Sequence, residues 1–290
     1  MASGYYSDTV QGPRPRTTES VDGILWAAIL QLLERSVSRN TLAEDFPEPC
    51  PDGLGETYAT DRNAVLETIQ AEIPDLPWPM SKRDLPPTLA VLDLIQFMHR
   101  HASKATPGSH HKFYDHHHLK FDRDKGQAEF RTDANRLLAR SGMAYALDDR
   151  GTVTRLAPPV IRDQLRHGLP ATQDAEFDDL LERAVAKYLD PDRQVRRDAV
   201  EKMWDAFERA KTIRAGRDKK AQAKALIDAA ADSPEEAALF EIEMRELTRI
   251  GNEFRIRHHE VSRIEPSDEL VDYLFTRMYA LIYRLHAALR

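Results

Sequence analysis

The fold class follows from the C-terminal residues 233–285, which read SPEEAALFEIEMRELTRIGNEFRIRHHEVSRIEPSDELVDYLFTRMYALIYRL. Ser233 and Pro234 mark a helix start, because serine can cap the first turn and proline fits its first positions. Ser267 marks a second start, and the apolar residues after it recur every three or four positions. Two long helices joined by about a dozen polar residues are expected to pack antiparallel. The sequence therefore predicts a C-terminal helical bundle at residues 171–290.

Upstream of the bundle, short predicted helices alternate with proline-containing loops. We expect residues 1–20 to form a flexible polar arm and residues 21–170 to form a helical domain, in which the apolar helix 88–101 is the strongest. Near its end, a helix closed by Gly142 precedes two short apolar runs that flank the turn 148–151 and form a β-hairpin. The predicted fold class is mainly α, with a small wing-like helix–hairpin unit before the C-terminal bundle.

Composition excludes several classes of protein. With 41% hydrophobic and 31% charged residues in 290, the chain has the apolar content that a disordered protein lacks. Cys50 is the single cysteine, so no internal disulfide forms, and we expect a cytoplasmic protein. No run approaches the roughly 18 apolar residues of a membrane span, and Met1 to Arg16 has no apolar signal-peptide core. We therefore expect no membrane association.

The net charge of −7 conceals an asymmetry. Residues 41–75 hold nine carboxylates against one cation, whereas residues 209–224 hold seven cations against one carboxylate. Such charge runs are usually solvated surface. The acidic region is alternatively a contact face for a partner protein, and the basic stretch a surface that attracts a phosphate backbone. The basic residues expected to steer a nucleic acid are Lys211, Arg214, Arg217, Lys219 and Lys220.

The segment between the two longest helices carries the most chemistry. Arg255, Arg257, His258 and His259 lie within five residues. Histidine titrates near neutral pH, so it can take the proton of an RNA 2′-hydroxyl or protonate the departing oxygen. Arginine can hold a phosphate with two hydrogen bonds. Alternatively, Arg255, Arg257 and Glu260 cap helix ends and form surface ion pairs, and one of the histidines is packed.

At this point the chain resembles a known group of proteins. A C-terminal helical bundle with Arg and His between two long helices is similar to the HEPN superfamily, many of whose members are RNases of toxin–antitoxin and abortive-infection systems. Upstream, Phe121–Gly126, Asn135–Leu138 and Tyr145–Leu147 resemble the N-terminal domain of AbiJ-like abortive-infection proteins. Together the two resemblances cover roughly residues 110–290.

The resemblance implies roles for particular residues. Arg255 would hold phosphate, His259 or alternatively His258 would act as acid or base, and Asn252 and Arg257 would orient the RNA. It also implies a homodimer with the two Arg–His turns facing each other. Catalytic members place more residues between the arginine and the histidine than the three that separate Arg255 from His259. A catalytically inactive sensor or adaptor, bound to a partner protein of a defence complex, is therefore the alternative.

A second segment is rich in histidine, since five of the eleven histidines lie within residues 110–118. We expect no cofactor and no metal ion, because no CxxC or HExxH frame is present and consecutive strand histidines point to opposite faces. A surface that binds a partner is the favoured interpretation, and a nucleic-acid or substrate contact is another. The residues that would serve a metal site are His110, His111, His116 and His118.

Overall fold

The structure is a computed structural model that describes residues 5–253 and 266–290. The chain divides into two compact units, Met1–Leu156 and Ala157–Arg290. The first unit contains α1 (Tyr6–Gln11), α2 (Gly23–Ser38), β1 (Pro47–Pro49), β2 (Thr57–Thr60), α3 (Arg62–Glu72), α4 (Thr88–His101), β3 (Lys104–His111), β4 (His116–Asp122), α5 (Arg123–Arg140), β5 (Tyr145–Leu147) and β6 (Val153–Arg155). The second contains α6 (Pro159–His167), α7 (Ala175–Tyr188), α8 (Arg193–Ile213), α9 (Lys219–Ala230), α10 (Pro234–Glu253) and α11 (Asp268–Leu289). The predicted mainly α fold class is confirmed.

Short polar side chains fix where the helices begin. The aspartates that precede α2, α3, α5, α7, α8 and α9 each accept a backbone N–H of the first turn. Ser233 Oγ accepts the N–H of Glu236 at 3.1 Å, and Ser267 accepts the N–H of Leu270 at 3.3 Å. These bonds satisfy donors that a helix leaves without an internal partner. The predicted helix starts at Ser233 and Ser267 are confirmed.

In the first unit, α2, α4 and α5 enclose the core. Trp26 of α2, Leu94 of α4 and Leu138 of α5 are fully buried in one apolar cluster. The β5–β6 hairpin is tied to α5 by Asn135, whose side chain donates to the carbonyl of Leu147 and accepts its N–H, both at 2.8 Å. The predicted helix–hairpin unit is therefore present.

Within residues 5–20, the described part of the predicted flexible arm, the chain is held by specific bonds. Thr18 donates its N–H to the carbonyl of Gly142 at 2.9 Å and accepts the N–H of Ala144 at 2.8 Å. Glu19 forms an ion pair of 2.7 Å with Arg155 of β6, and both side chains are largely buried. These bonds hold the segment against the β5–β6 hairpin. The polar composition of the segment does not show that its groups have hydrogen-bonding partners far along the chain.

The second unit has its own core, and it begins earlier than the predicted boundary near residue 170. Ile161 of α6 is buried in the same cluster as Phe177 of α7. Tyr188 stacks on Phe275 with ring centres 3.7 Å apart, which joins α7 to α11. The helix that follows the proline pair at 158–159 thus belongs to the bundle, since its apolar face is buried there.

Helices α10 and α11 run antiparallel, as the sequence predicts. Glu243 pairs with Arg277 at 2.7 Å and Glu236 pairs with Arg284 at 2.6 Å, so positions advance along one helix as they recede along the other. Gly251 approaches the ring of Trp204 so closely that an added Cβ would lie 2.1 Å from it, and only glycine fits there. Among the described helices, none has the length and apolar character needed to cross a bilayer.

Candidate functional sites

The residues predicted to act on RNA fall in two places. Arg255, Arg257, His258 and His259 lie outside the described residues, in the segment 254–265. The segment connects the C-terminus of α10 to the N-terminus of α11, and the described residues at these two helix ends show what surrounds its attachment points.

Arginines of α8 lie at this end of the bundle. Asp268, the first residue of α11, pairs with Arg193 at 3.4 Å and with Arg197 at 3.8 Å. Lys211 Nζ lies 3.2 Å from Thr248 of α10, and Trp204 meets Gly251, so α10 runs antiparallel to α8. The C-terminus of α10 is therefore directed toward the arginine-bearing start of α8.

Arg249 is committed to ion pairs within its own helix. It bonds Glu246 at 2.5 Å and also pairs with Glu253 one turn further on. The hydrogen bond from Arg249 lowers the pKa of Glu246. This arrangement matches the interpretation of a surface ion pair, so Arg249 does not offer a free guanidinium to a phosphate.

The predicted RNA-steering residues lie at the other end of α8. Arg214 donates to the carbonyl of Ala288 at 2.7 Å near the C-terminus of α11, and Lys211 pairs with Glu208. Helix α8 has 21 residues and is about 30 Å long, so this end is distant from Asp268. The remaining three residues are exposed, namely Arg217, Lys219 and Lys220. The structure therefore separates the steering residues from Asp268, where the segment ends, whereas Lys211 reaches Thr248, five residues before the described end of α10.

A groove of about 870 Å³ lies between α9 and α10 near the same basic stretch. Three of the four cations that line it form ion pairs, because Lys224 pairs with Asp228 at 2.7 Å, Arg245 pairs with Glu241 at 2.8 Å and Lys211 pairs with Glu208. The groove alone does not mark a phosphate site.

The histidine-rich segment forms a hairpin that sorts its side chains onto two faces. His111 of β3 is the cross-strand partner of His116 of β4, and His110 is the partner of His117. Alternate residues of a strand share a face, so His118 lies with His116 and His111. His110 and His117 are exposed on the opposite side.

Two further residues reach the first face from the turn between β1 and β2. Cys50 donates its N–H to the carbonyl of Glu56 at 2.7 Å, and Asp52 Oδ1 accepts the N–H of Leu54 at 2.9 Å. Tyr58 of β2 stacks on His116 with ring centres 4.4 Å apart, which places the turn beside β4. Cys50 and Asp52 thereby join the three histidines.

The five side chains form a tight cluster. The rings of His111, His116 and His118 stand 5.5–5.7 Å apart, centre to centre, in a nearly equilateral triangle. The ligand-type atoms of Cys50, His116 and His118 lie within 4.8 Å of one another, as do those of Cys50, Asp52 and His111. His111 Nε2 is 3.2 Å from Asp52 Oδ2. The cluster is thus built around the Cys50 thiol.

Burial governs the ionisation of the cluster. It raises the pKa of the Cys50 thiol and lowers the pKa of His116, whose protonation the neighbouring His111 and His118 also oppose. The N–H of Leu54 holds the pKa of Asp52 below its usual value. At neutral pH the cluster therefore contains a carboxylate, a thiol and a neutral imidazole at His116.

No family model, curated protein or solved structure matches the chain. The resemblance to HEPN and AbiJ-like proteins stays a prediction. Of the four histidines predicted as metal candidates, the structure brings three together and leaves His110 on the other face. The sequence did not indicate Cys50 or Asp52, because they lie more than fifty residues before the hairpin. The alternation His116-x-His118 was the one local signal for a shared face.

Proposed function

We propose that the chain is a bacterial defence protein of the abortive-infection type whose second unit binds and cleaves RNA without a metal ion in the reaction. One histidine, His259 or His258, takes the proton of a 2′-hydroxyl, whose oxygen attacks the adjacent phosphorus. The bond to the 5′-oxygen breaks, a proton from a histidine neutralises that oxygen, and a 2′,3′-cyclic phosphate remains. Arg255 holds the phosphate and stabilises its developing charge.

The observation that carries this proposal is the arrangement of α8, α10 and α11. The segment with Arg255 and His259 connects the end of α10 to the start of α11, and Arg193 and Arg197 of α8 lie at that start. Both arginines pair with Asp268 and hold the start of α11, where the segment ends. The choice of an anionic substrate such as RNA rests on Arg255 and the two histidines. Asn252, in the last turn of α10, and Arg257 would orient the strand.

The distant basic stretch has a more limited role in this proposal. Arg217, Lys219 and Lys220 are exposed and attract the RNA backbone over a distance, whereas Arg214 holds the end of α11. In this proposal Arg255 holds the reacting phosphate, and Asp268, the described residue at the start of α11, lies about one helix length from Arg214.

A homodimer belongs to the same proposal. Leu239 and Ile242 lie one turn apart on α10 and are each 60% exposed, so a second copy would bury them. Replacing both by aspartate should convert the dimer to monomer in analytical ultracentrifugation. A double variant with unchanged mass would contradict a dimer through this face.

A nuclease assay on tRNA and mRNA tests the proposal. The variant Arg255→Ala/His259→Ala should lose activity by about 100-fold or more, since removing an acid–base group alone costs about 100- to 10,000-fold. The matched control is Arg183→Ala/His167→Ala, which removes an exposed arginine and histidine from α7 and α6 and should keep full activity. Equal activity of the two double variants would contradict the catalytic assignment.

The second candidate is an adaptor that binds a partner protein. The ion pairs of Arg249 and the short Arg255–His259 spacing favour it. Its acidic contact face at residues 41–75 is partly neutralised, because Arg123 pairs with Glu44 and Asp45. An adaptor would protect cells from phage with the Arg255→Ala/His259→Ala change in place and would leave RNA intact, and it would retain a protein in pull-downs from infected cells.

A further inference from the structure

We propose that Cys50, His116 and His118 bind one divalent transition-metal ion of the zinc class, with Asp52 as the fourth ligand. This site lies in the first unit and uses none of the residues assigned to RNA. The metal-site proposal can therefore be tested independently of the proposed nuclease.

The first argument is the chemistry of the donor set. A thiolate with imidazoles suits zinc and related ions, whereas magnesium and calcium prefer sets made of oxygen. Zinc bonds are about 2.0–2.3 Å long, so the ligand atoms of a tetrahedral site lie about 3.5 Å apart. Those of Cys50, His116 and His118 lie within 4.8 Å, and binding would draw them together by about 1 Å.

The second argument is that the buried atoms lack other partners. Nε2 of His116 and Nε2 of His118 are shielded from solvent and accept or donate no hydrogen bond among the described residues. Buried polar atoms in proteins almost always have a partner. Two such atoms beside one thiol are accounted for together by a single ion.

The third argument is the orientation of the imidazoles. Ser109 Oγ lies 3.3 Å from Nδ1 of His118, and by accepting the Nδ1 proton it leaves a lone pair on Nε2. A hydrogen bond at the other ring nitrogen is the usual companion of a histidine ligand. Stacking on Tyr58 limits rotation of the ring of His116. In both rings Nε2 is the buried nitrogen without a partner among the described residues.

Asp52 is a better fourth ligand than His111, because of where the proton lies on the His111 ring. Its Oδ1 accepts the N–H of Leu54, and its Oδ2, which His111 Nε2 faces at 3.2 Å, has a second lone pair for the ion. His111 Nδ1 accepts the N–H of Tyr114 at 3.4 Å, so in the neutral ring the proton is on Nε2, facing Asp52. A nitrogen that carries a proton cannot bind a metal, and His111 instead supports the carboxylate.

The ion would join two parts of the first unit that belong to different two-stranded sheets. Cys50 and Asp52 belong to the turn after β1, and the histidines belong to β4. Metal binding would therefore stabilise the turn against the hairpin, as structural zinc sites do.

Titration of the full-length, chelator-treated protein with Co²⁺ tests the proposal. We expect one ion per chain, with the visible bands of tetrahedral cobalt and a near-ultraviolet charge-transfer band that only a thiolate ligand gives. Zn²⁺ should displace the cobalt and remove both features. In Cys50→Ser the charge-transfer band should vanish. Changing a residue that only supports a ligand costs about 10- to 100-fold in metal affinity, and His118→Gln should lower the affinity by more than that. His117→Gln, on the same strand but the opposite face, is the matched control and should bind as the parent does.

Two outcomes would overturn the site. One is a folded parent protein, checked by circular dichroism, that binds neither Co²⁺ nor Zn²⁺ stoichiometrically. The other is a charge-transfer band that persists in Cys50→Ser. The fourth ligand is tested by comparing Asp52→Asn with His111→Gln, of which the first should weaken binding more. The reverse order would contradict Asp52 as the ligand.

Discussion

The two units place their histidines in opposite ways. In the first, three histidines on one face of a hairpin meet a cysteine and an aspartate from a turn more than fifty residues earlier, in a partly enclosed cluster. In the second, arginines and histidines lie within five consecutive residues that connect two helices. In a strand, alternate side chains point to opposite faces, so only some histidines of the hairpin can share a site. The residues of the second group are adjacent in the sequence. The first arrangement suits a fixed ion, and the second suits proton transfer at a substrate.

The largest expected effect tests whether the two sites are independent. Trp204 fills the core of the second unit, which shares no buried residue with the core of the first. Trp204→Ala should destabilise the second unit by about 3–5 kcal/mol. Urea unfolding followed by circular dichroism should show an early transition, while Co²⁺ binding stays at one per chain. Loss of cobalt binding in that same early transition would contradict separate units.

Zinc should stabilise the first unit by a smaller amount. At a free Zn²⁺ concentration 100 times its dissociation constant, the free energy of unfolding should rise by about 2.7 kcal/mol. Thermal unfolding with and without Zn²⁺ measures this, with His117→Gln as the control that keeps the gain. A shift that is equally large in Cys50→Ser would come from an ion bound elsewhere.

Both units should lose stability in acid through matched ion pairs. The hydrogen bond from Arg123 lowers the pKa of Asp45, and that from Arg209 lowers the pKa of Asp174. Because the folded-state pKa lies below the unfolded value of about 3.9, each pair stabilises above that pH and the gain is lost as pH falls through the folded pKa. Asp45→Asn and Asp174→Asn should each lower the free energy of unfolding by about 1 kcal/mol at pH 7. In a plot of the urea midpoint against pH, each variant should show a smaller fall at acidic pH than the parent. An unchanged fall would show that the carboxylates are not paired in solution.

The smallest effect concerns the basic stretch. Lys219→Ala/Lys220→Ala should weaken RNA binding a few-fold and reduce the slope of log affinity against log salt by about one for each phosphate that is no longer neutralised. Cleavage at saturating RNA should not change, because these lysines begin α9, which follows the end of α8 away from Asp268. A fall in the saturated rate would place the lysines at the reacting phosphate and contradict their role in long-range attraction alone.

The elements that the sequence predicts best are those with local causes. The helix at 88–101 has its predicted bounds because a proline pair precedes it and its apolar period is continuous. The hairpin after Gly142 forms because its turn holds Gly151 at a positive φ. Elements with distant causes were missed, as in the pairing of Thr18 with Gly142, which turns the predicted arm into part of the first unit.

The candidate metal site shows the same limit more sharply. The alternation of His116 and His118 is visible in the sequence, and it predicts a shared face. Nothing local connects these residues to Cys50, because the turn that holds the cysteine is positioned by β2 beside β4. Long-range pairing of this kind is set by tertiary packing, which residue spacing does not encode.

Metal analysis of three single variants tests the central claim most directly. His116→Gln, His117→Gln and His118→Gln change consecutive residues of one strand in the same chemical way. After reconstitution with Zn²⁺ and removal of unbound ion, we predict about one zinc per chain in the middle variant and a clear loss in the two outer ones. Equal zinc content in all three folded variants would contradict a site built on one face of the hairpin.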